Sequence, residues 1–365
     1  MLTDTSTLTP TAEPADAAAW SGDDPWSHPI DRELERELMR AALFDGCSPP
    51  KIGRFVVVER LGAGASSVVY AAWDERLARR VAIKIFVAAS SATHPRVQCE
   101  ARALAQLPHR NVAVVYDVDE WRGHAFIAME LIAGSTLARW QAAARRSTAE
   151  LRGAYLQAGR GLADAHQAGL VHRDFKPANV MVGGDGRVVV TDFGLAGCIA
   201  PDPAAGGARD ADGSREIPTR PAIGTPAYAA PEQSRGAAPH PSADIYSFAM
   251  ALCEALIGWH PMREAEGVWR RALARRVPRR LYAAICTGLA TQPSARGETM
   301  APLLAALATP PRRRGVVIAI AIAGLAAATA VAGITHSISA DIPALPAPLT
   351  RDPTGIVSGA PCAAR

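Results

Sequence analysis

The chain has 365 residues, 49% of them hydrophobic, with a formal net charge of +4, enough for one large domain or two medium ones with an apolar core. Lys and Arg are spread along it, so its charge gives no reason to invoke nucleic acid. The six cysteines (Cys47, Cys99, Cys198, Cys253, Cys286 and Cys362) form no C-x-x-C pair, which leaves zinc ribbons and dithiol chemistry unsupported and suits a reducing compartment. No basic-then-apolar pattern opens the chain, so no signal peptide is expected. Residues 1–50, rich in Thr, Ala, Pro and Asp, read as a weakly ordered segment. One helix is expected within it, Asp31 to Phe44, capped by Asp31, with Leu34, Leu38 and Ala41 or Ala42 at helical spacing. It reads as a solvated helix rather than a docking segment, closed by Gly46 and Pro49-Pro50.

A strand begins at Phe55. It runs into Leu61-Gly62-Ala63-Gly64-Ala65-Ser66-Ser67-Val68-Val69-Tyr70, a glycine-rich stretch between two apolar runs. Glycine lets backbone approach a phosphate closely with its N–H groups facing it. The next strand, Val81 to Phe86, carries Lys84 among β-formers, and Pro95 to Leu107 reads as a helix containing Glu100. Val112 to Val118 and Ala125 to Glu130 read as strands turning near Gly123. A short helix follows Ser135. A longer one begins at Ser147, where Ser147 and Glu150 make a capping box, and ends at Gly169.

Next comes His172-Arg173-Asp174-Phe175-Lys176-Pro177-Ala178-Asn179, and then Asp192-Phe193-Gly194. Phosphoryl transfer needs such a set. Asp174 can orient a hydroxyl and take its proton, Lys176 can neutralise charge on the moving group, and Asn179 and Asp192 offer oxygen ligands to Mg²⁺. Val180-Met181-Val182 and Val188-Val189-Val190, around Gly183-Gly184-Asp185-Gly186, read as a hairpin that returns Asn179 to the side of Asp192. A long polar segment to Pro221 follows, then Gly224-Thr225-Pro226-Ala227-Tyr228-Ala229-Ala230-Pro231-Glu232.

From about Phe55 to Leu307, these motifs resemble the eukaryotic-like (Hanks-type) Ser/Thr protein kinases of bacteria. The resemblance implies an α+β, bilobal kinase fold over 55–309, with a small β-rich N-lobe carrying one long helix and a larger, mainly helical C-lobe. It implies ATP and Mg²⁺ as cofactors, with Mn²⁺ as a substitute, and protein Ser/Thr hydroxyls as acceptors. The glycine-rich loop, Leu61 to Val69, would cover the nucleotide, with Ser67 in place of the third glycine. Lys84 would hold the α- and β-phosphates and pair with Glu100. Val69 and Ala82 would lie above adenine and Met181 below it. Met129 would guard the rear of the pocket, and Glu130 and Ile132 would present backbone groups at the hinge. Thr225 and Lys176 favour Ser/Thr over Tyr. Arg173 implies control by phosphate on the activation segment, with Thr219 as the main candidate and Ser214 and Thr225 as lesser ones. Asp244 would brace the His172–Asp174 backbone, and Arg296 would pair with Glu232. The helices between Pro261 and Leu281, a short and basic region, are not defined by pattern.

Arg312-Arg313-Arg314 precedes an uncharged run, residues 315–335, long enough to cross a bilayer. The basic triplet places the kinase domain in the cytoplasm, as a single-pass protein of the inner (plasma) membrane. Residues 337–365 would be a short extracytoplasmic tail. Gly324 and Ala328 form one small-xxx-small pair, compatible with a homodimer. The expectation is a membrane-anchored Ser/Thr protein kinase that autophosphorylates its activation segment. The alternatives are a pseudokinase scaffold, against which intact Lys84, Asp174, Asn179 and Asp192 argue, and a small-molecule kinase, against which the 225–232 motif argues.

Overall fold

The computed structural model describes residues 28–64, 66–87, 94–193 and 227–309, without the side chains of residues 94–97 and 100. Ala65, Ser214, Thr219, Thr225, the 315–335 run and the 337–365 tail therefore lie outside the described residues, as does the Glu100 side chain.

The first described element is helix α1 (Pro29–Leu43), followed by strands β1 (Lys51–Ile52), β2 (Phe55–Ala63), β3 (Ser67–Asp74) and β4 (Arg79–Phe86). Helix α2 (His94–Ala105) precedes β5 (Val115–Trp121) and β6 (His124–Glu130). The six strands form one sheet in the order β1-β2-β3-β4-β6-β5, antiparallel throughout. Strand alternation gives this sheet two different faces. Val68, Tyr70, Val81, Ile83 and Ile85 join Ile52, Phe55, Val57 and Phe126 in a core that also takes Ile30 and Leu34 of α1. Val69 and Lys84 pair across β3 and β4 and turn to the other side.

Helix α1 differs from the expected solvated helix. Leu34 is fully buried, which stabilises the contact by about 1.5–3 kcal/mol. Asp31 does not cap the helix. His28 does, its Nδ1 accepting from the Ile30 N–H at 3.4 Å, while Asp31 turns inward. The spacing of Leu34 and Leu38 is what a docked helix also has, and a buried aspartate looks like a surface one in sequence.

The helical part begins with β7 (Gly134–Thr136), α3 (Leu137–Ala143) and α4 (Thr148–Gln167). The Ser147–Glu150 capping box is formed in both directions. Strands β8 (Val180–Gly183) and β9 (Val188–Val190) make the expected hairpin, and β7 pairs with β8. Gly134 is required there, because a Cβ would stand 2.0 Å from the Val182 carbonyl oxygen. Helix α5 (Pro241–Ile257) is apolar nearly all round and runs through the core. Against it pack α4, α6 (Glu266–Arg276) and α7 (Arg279–Gly288), while α8 (Ala301–Ala308) packs on α4 and α7. Helix α6 buries only Trp269 and Leu273 among its many arginines, which is why its apolar period is faint in sequence.

Arg296 is fully buried and meets Glu232 through two hydrogen bonds of 2.5 and 2.9 Å, as the resemblance implied. It also donates to the carbonyls of Ala290, Ser242 and Thr291. Burial pushes the Glu232 carboxyl up, but its bonds with Arg296 more than offset this and hold it below the ordinary glutamate value. A carboxyl held down in the folded state binds protons less readily than in the unfolded chain. Its stabilisation is present above about pH 4.3 and is lost as pH falls through the lower folded value. Glu232→Gln is expected to cost about 1.5–3 kcal/mol near neutral pH. In urea melts from pH 6 to pH 3, its deficit relative to the unaltered chain should shrink. A deficit constant with pH would contradict this assignment.

Candidate active site

In the turn between α4 and β8, two polar side chains converge on one oxygen of a third. Lys176 Nζ donates to Asp174 Oδ2 at 2.8 Å, and Asn179 Nδ2 donates to the same atom at 3.1 Å. Asn179 Nδ2 also donates to the Asp174 backbone carbonyl at 2.9 Å. With its N–H₂ so committed, the amide's other end, Oδ1, is an acceptor suited to a cation. The Asp174 side chain is 33% exposed, so an incoming hydroxyl can reach it.

The hairpin places the fourth group. Val180 pairs with Val190, and the Thr191 N–H donates to the Asn179 carbonyl at 2.9 Å, so Asp192 comes down beside Asn179. Lys84 Nζ stands 2.7 Å from Asp192 Oδ1. Burial pushes the Asp192 carboxyl up. The Lys84 ammonium more than offsets this, with help from His172 and Lys176, and holds the group below the ordinary aspartate value. The carboxylate is thus kept ionised, as a metal ligand must be.

The loop is strained and held. Arg173 (φ 66°) and Asp192 (φ 60°) adopt the left-handed region, which costs non-glycine residues about 1–3 kcal/mol each. Asp244, fully buried at the start of α5, accepts from the His172 N–H (2.7 Å) and the Arg173 N–H (2.8 Å). From the other side, Gln233 Nε2 donates to the Arg173 carbonyl at 2.7 Å, while its Oε1 accepts from the Ala230 N–H. The His172 ring packs on Phe193, centroids 4.7 Å apart, and its Nε2 lies 2.9 Å from the Thr191 carbonyl.

The sheet supplies the roof. Val69, Ala82 and Lys84 share the face that carries Asp192's partner, whereas Val68 belongs to the core under α1 and can offer a ligand only its backbone. A Cβ on Gly62 would meet nothing within 4 Å, so space lies open there. Met129 lines a small cavity of about 20 Å³ with Lys84, Leu104, Ile127 and Phe193, consistent with a position at the rear of the cleft. The Glu130 N–H is committed to the Val114 carbonyl at 2.9 Å, so what Glu130 can offer a base is its carbonyl. Its carboxylate is held by the Arg187 guanidinium, which also donates to the Arg110 carbonyl at 2.6 Å. Ile132 lies between β6 and β7, and Met181 on β8 pairs with Thr136.

Asp174, Lys176, Asn179, Asp192 and Lys84 are therefore brought together. The Lys84–Glu100 pair lies outside the described residues, and the partner seen for Lys84 is Asp192. Sequence reasoning gave no role to three residues that hold this site. His166 Nε2 bonds Asp244 at 2.8 Å, Gln233 bridges two segments, and Arg187 fixes the hinge carboxylate. Only the position of Gln233, next to Glu232, signalled anything.

The donor set fits a magnesium–nucleotide. Two hard oxygen donors suffice for Mg²⁺ when phosphates and water supply the rest, and small apolar side chains suit a planar base.

Residues 55–303 match the family model described as protein kinase domain. Among curated proteins, the serine/threonine-protein kinase PknL of Mycobacterium tuberculosis is 35% identical over 234 residues, 62% of this chain and 53% of that protein. PknA of the same species is 34% identical over 218 residues, 57% and 48%. The chain thus spans about half the length of the curated relatives it matches. Among solved structures, a crystal structure of Rad53 1–466 in complex with AMP-PNP aligns with a TM-score of 0.53 at 23% identity, covering 69% of this chain and 64% of that one. That likeness bears on fold alone.

Proposed function

The chain belongs to the protein kinase domain family, and on that premise we propose that it transfers the γ-phosphoryl group of Mg–ATP to serine and threonine hydroxyls of proteins. The observation that carries this is the Asp174–Lys176–Asn179 cluster set beside Asp192 and Lys84. Asp174 orients the acceptor hydroxyl and takes its proton. Lys176, bonded to that carboxylate, places positive charge where the transferred group passes. Asn179 and Asp192 hold the metal, which when bound neutralises phosphate charge, and Lys84 holds the phosphates. The names of the relatives, all Ser/Thr kinases, support the acceptor class.

The chain acts, in this reading, on partner proteins and on its own activation segment at Thr219, with Ser214 and Thr225 as lesser sites. The apolar run 315–335 anchors it in the inner membrane, and Gly324 and Ala328 support pairing of two copies. Among the described residues no helix is long and apolar enough to cross a membrane.

Incubating the full chain with labelled ATP and Mg²⁺ beside Lys84→Met tests the reading. Label is expected on the unaltered chain and not on the variant, with the label mapping inside residues 195–229. Label confined to other regions would contradict the activation-segment assignment. Equal label on both proteins would contradict the role of Lys84. Membrane anchoring is tested separately: deletion of 315–335 is expected to move the protein from the carbonate-resistant membrane fraction to the soluble one.

A further inference from the structure

We propose that α1, which precedes the family-matched region, positions the glycine-rich loop over the nucleotide phosphates through Asp31. The proposal rests on the kinase reading for what that loop covers.

Asp31 is fully buried, and both its oxygens are used. Arg60 Nε donates to Oδ1 at 3.1 Å and Arg60 Nη2 to Oδ2 at 2.6 Å, and the Tyr70 hydroxyl donates to Oδ1. Arg60 and Tyr70 face each other across β2 and β3. The carboxylate is therefore a staple across the two strands of one hairpin. The next pairs along that hairpin are Gly62 with Val69 and Ala63 with Val68, and after them the strands give way to the loop. The hairpin needs such a staple, because its register shifts between Val57 and Glu59 and again between Arg60 and Gly62. The Arg60–Tyr70 pair thus lies next to the second of two irregularities, where ladder hydrogen bonds fix the twist least.

Adhesion of α1 does not require a carboxylate. Ile30 and Leu34 already seat the helix on the sheet. A buried charge adds little adhesion over an apolar residue of its size, but it does fix which groups it meets. Asp31 lies on the face of the sheet opposite Lys84, so it touches no nucleotide and is a positioning residue. A loop ordered in advance loses less freedom on closing over phosphates. Adenine recognition at Met129 to Ile132 and Met181 lies away from this hairpin, and Val69, which the hairpin contributes above adenine, is also held by its pairing with Lys84 on β4, so adenosine binding should depend little on the staple.

The test uses the full chain and measures equilibrium binding of Mg–ATP and of adenosine by calorimetry. Asp31→Ala is expected to raise the Kd for Mg–ATP about five- to tenfold, the scale of one ordering cost, while the adenosine Kd stays within about twofold. Leu34→Ala, which loosens the same helix but keeps the carboxylate that bonds Arg60 and Tyr70, should lower the Tm and leave the ratio of the two Kd values unchanged. A ratio unchanged by Asp31→Ala, or changed equally by Leu34→Ala, would overturn the proposal. If Asp31→Ala shows no cooperative melt, Asp31→Asn is read by the same ratio. Because binding is read without turnover, a chain that binds ATP but transfers no phosphate would overturn the kinase reading and leave this one standing.

Discussion

Asp174→Asn is expected to lower kcat by roughly 10²–10⁴-fold while the Kd for Mg–ATP stays within about twofold. The substitution keeps the size of the side chain and removes its charge. In the native loop Asp174 Oδ2 accepts from both Lys176 and Asn179. An amide can keep one oxygen toward those donors only by pointing its N–H₂ at the incoming hydroxyl, which then finds a donor where it needs an acceptor. Turned the other way, the N–H₂ opposes the Lys176 ammonium. Either orientation removes proton acceptance in the transition state. Neither touches Lys84, Asp192 or the hinge, so ground-state nucleotide binding is spared. Stability should also be nearly unchanged, since the group is partly exposed. Single-turnover transfer with saturating ATP, alongside calorimetric ATP binding, checks both halves. Transfer within about tenfold of normal would remove Asp174 from the chemistry. ATP binding with no transfer by either protein would favour the pseudokinase alternative.

What could be read from sequence divides along physical lines. The cluster of Asp174, Lys176, Asn179 and Asp192 was legible because phosphoryl transfer needs particular residue types at close spacing, and the β8–β9 hairpin could be read from two apolar runs around a Gly/Asp turn. The capping box of α4 was equally plain, since both of its bonds are local. Interactions between distant segments were not legible. Nothing marks His166 as the partner of Asp244, 78 residues later, because a histidine on an apolar helix face usually needs no partner. Arg187 looks like a charge at a hairpin turn, and only the folded chain brings it to Glu130. Asp31 is the sharpest case. Its position suggested a helix cap, but the nearby His28 fills that role and Asp31 is committed to Arg60 and Tyr70. A sequence pattern can show that a helix has an apolar stripe. It does not show which polar residue will be carried under with that stripe.

Asp244→Ala should produce the largest loss of stability and also impair catalysis. Asp244 is fully buried and serves three donors: the backbone N–H groups of His172 and Arg173, and His166 Nε2. Among the described residues His166 Nδ1 has no hydrogen-bond partner, so there the ring has nothing else to fall back on. Each buried group left unpaired costs about 1–3 kcal/mol, so three of them sum to roughly 3–9 kcal/mol. For a domain of this size the middle of that range corresponds to a Tm lower by roughly 12–24 °C. The catalytic effect follows from the backbone. Arg173 is held at φ 66° by Asp244 on its N–H and by Gln233 on its carbonyl. With one of these gone, the peptide can relax toward ordinary conformations, and Asp174, the next residue, leaves its position beside Lys176 and Asn179. The kcat measured well below the new Tm should therefore also fall, while the adenosine Kd, set at the hinge, should not. Asp174→Asn impairs transfer without lowering stability, and Asp244→Ala is expected to do both. A normal Tm with reduced kcat would mean that the donors freed by Asp244→Ala find other partners, and that Asp244 positions the loop without stabilising the fold. A reduced Tm with normal kcat would mean that the strain at Arg173 does not serve the placement of Asp174.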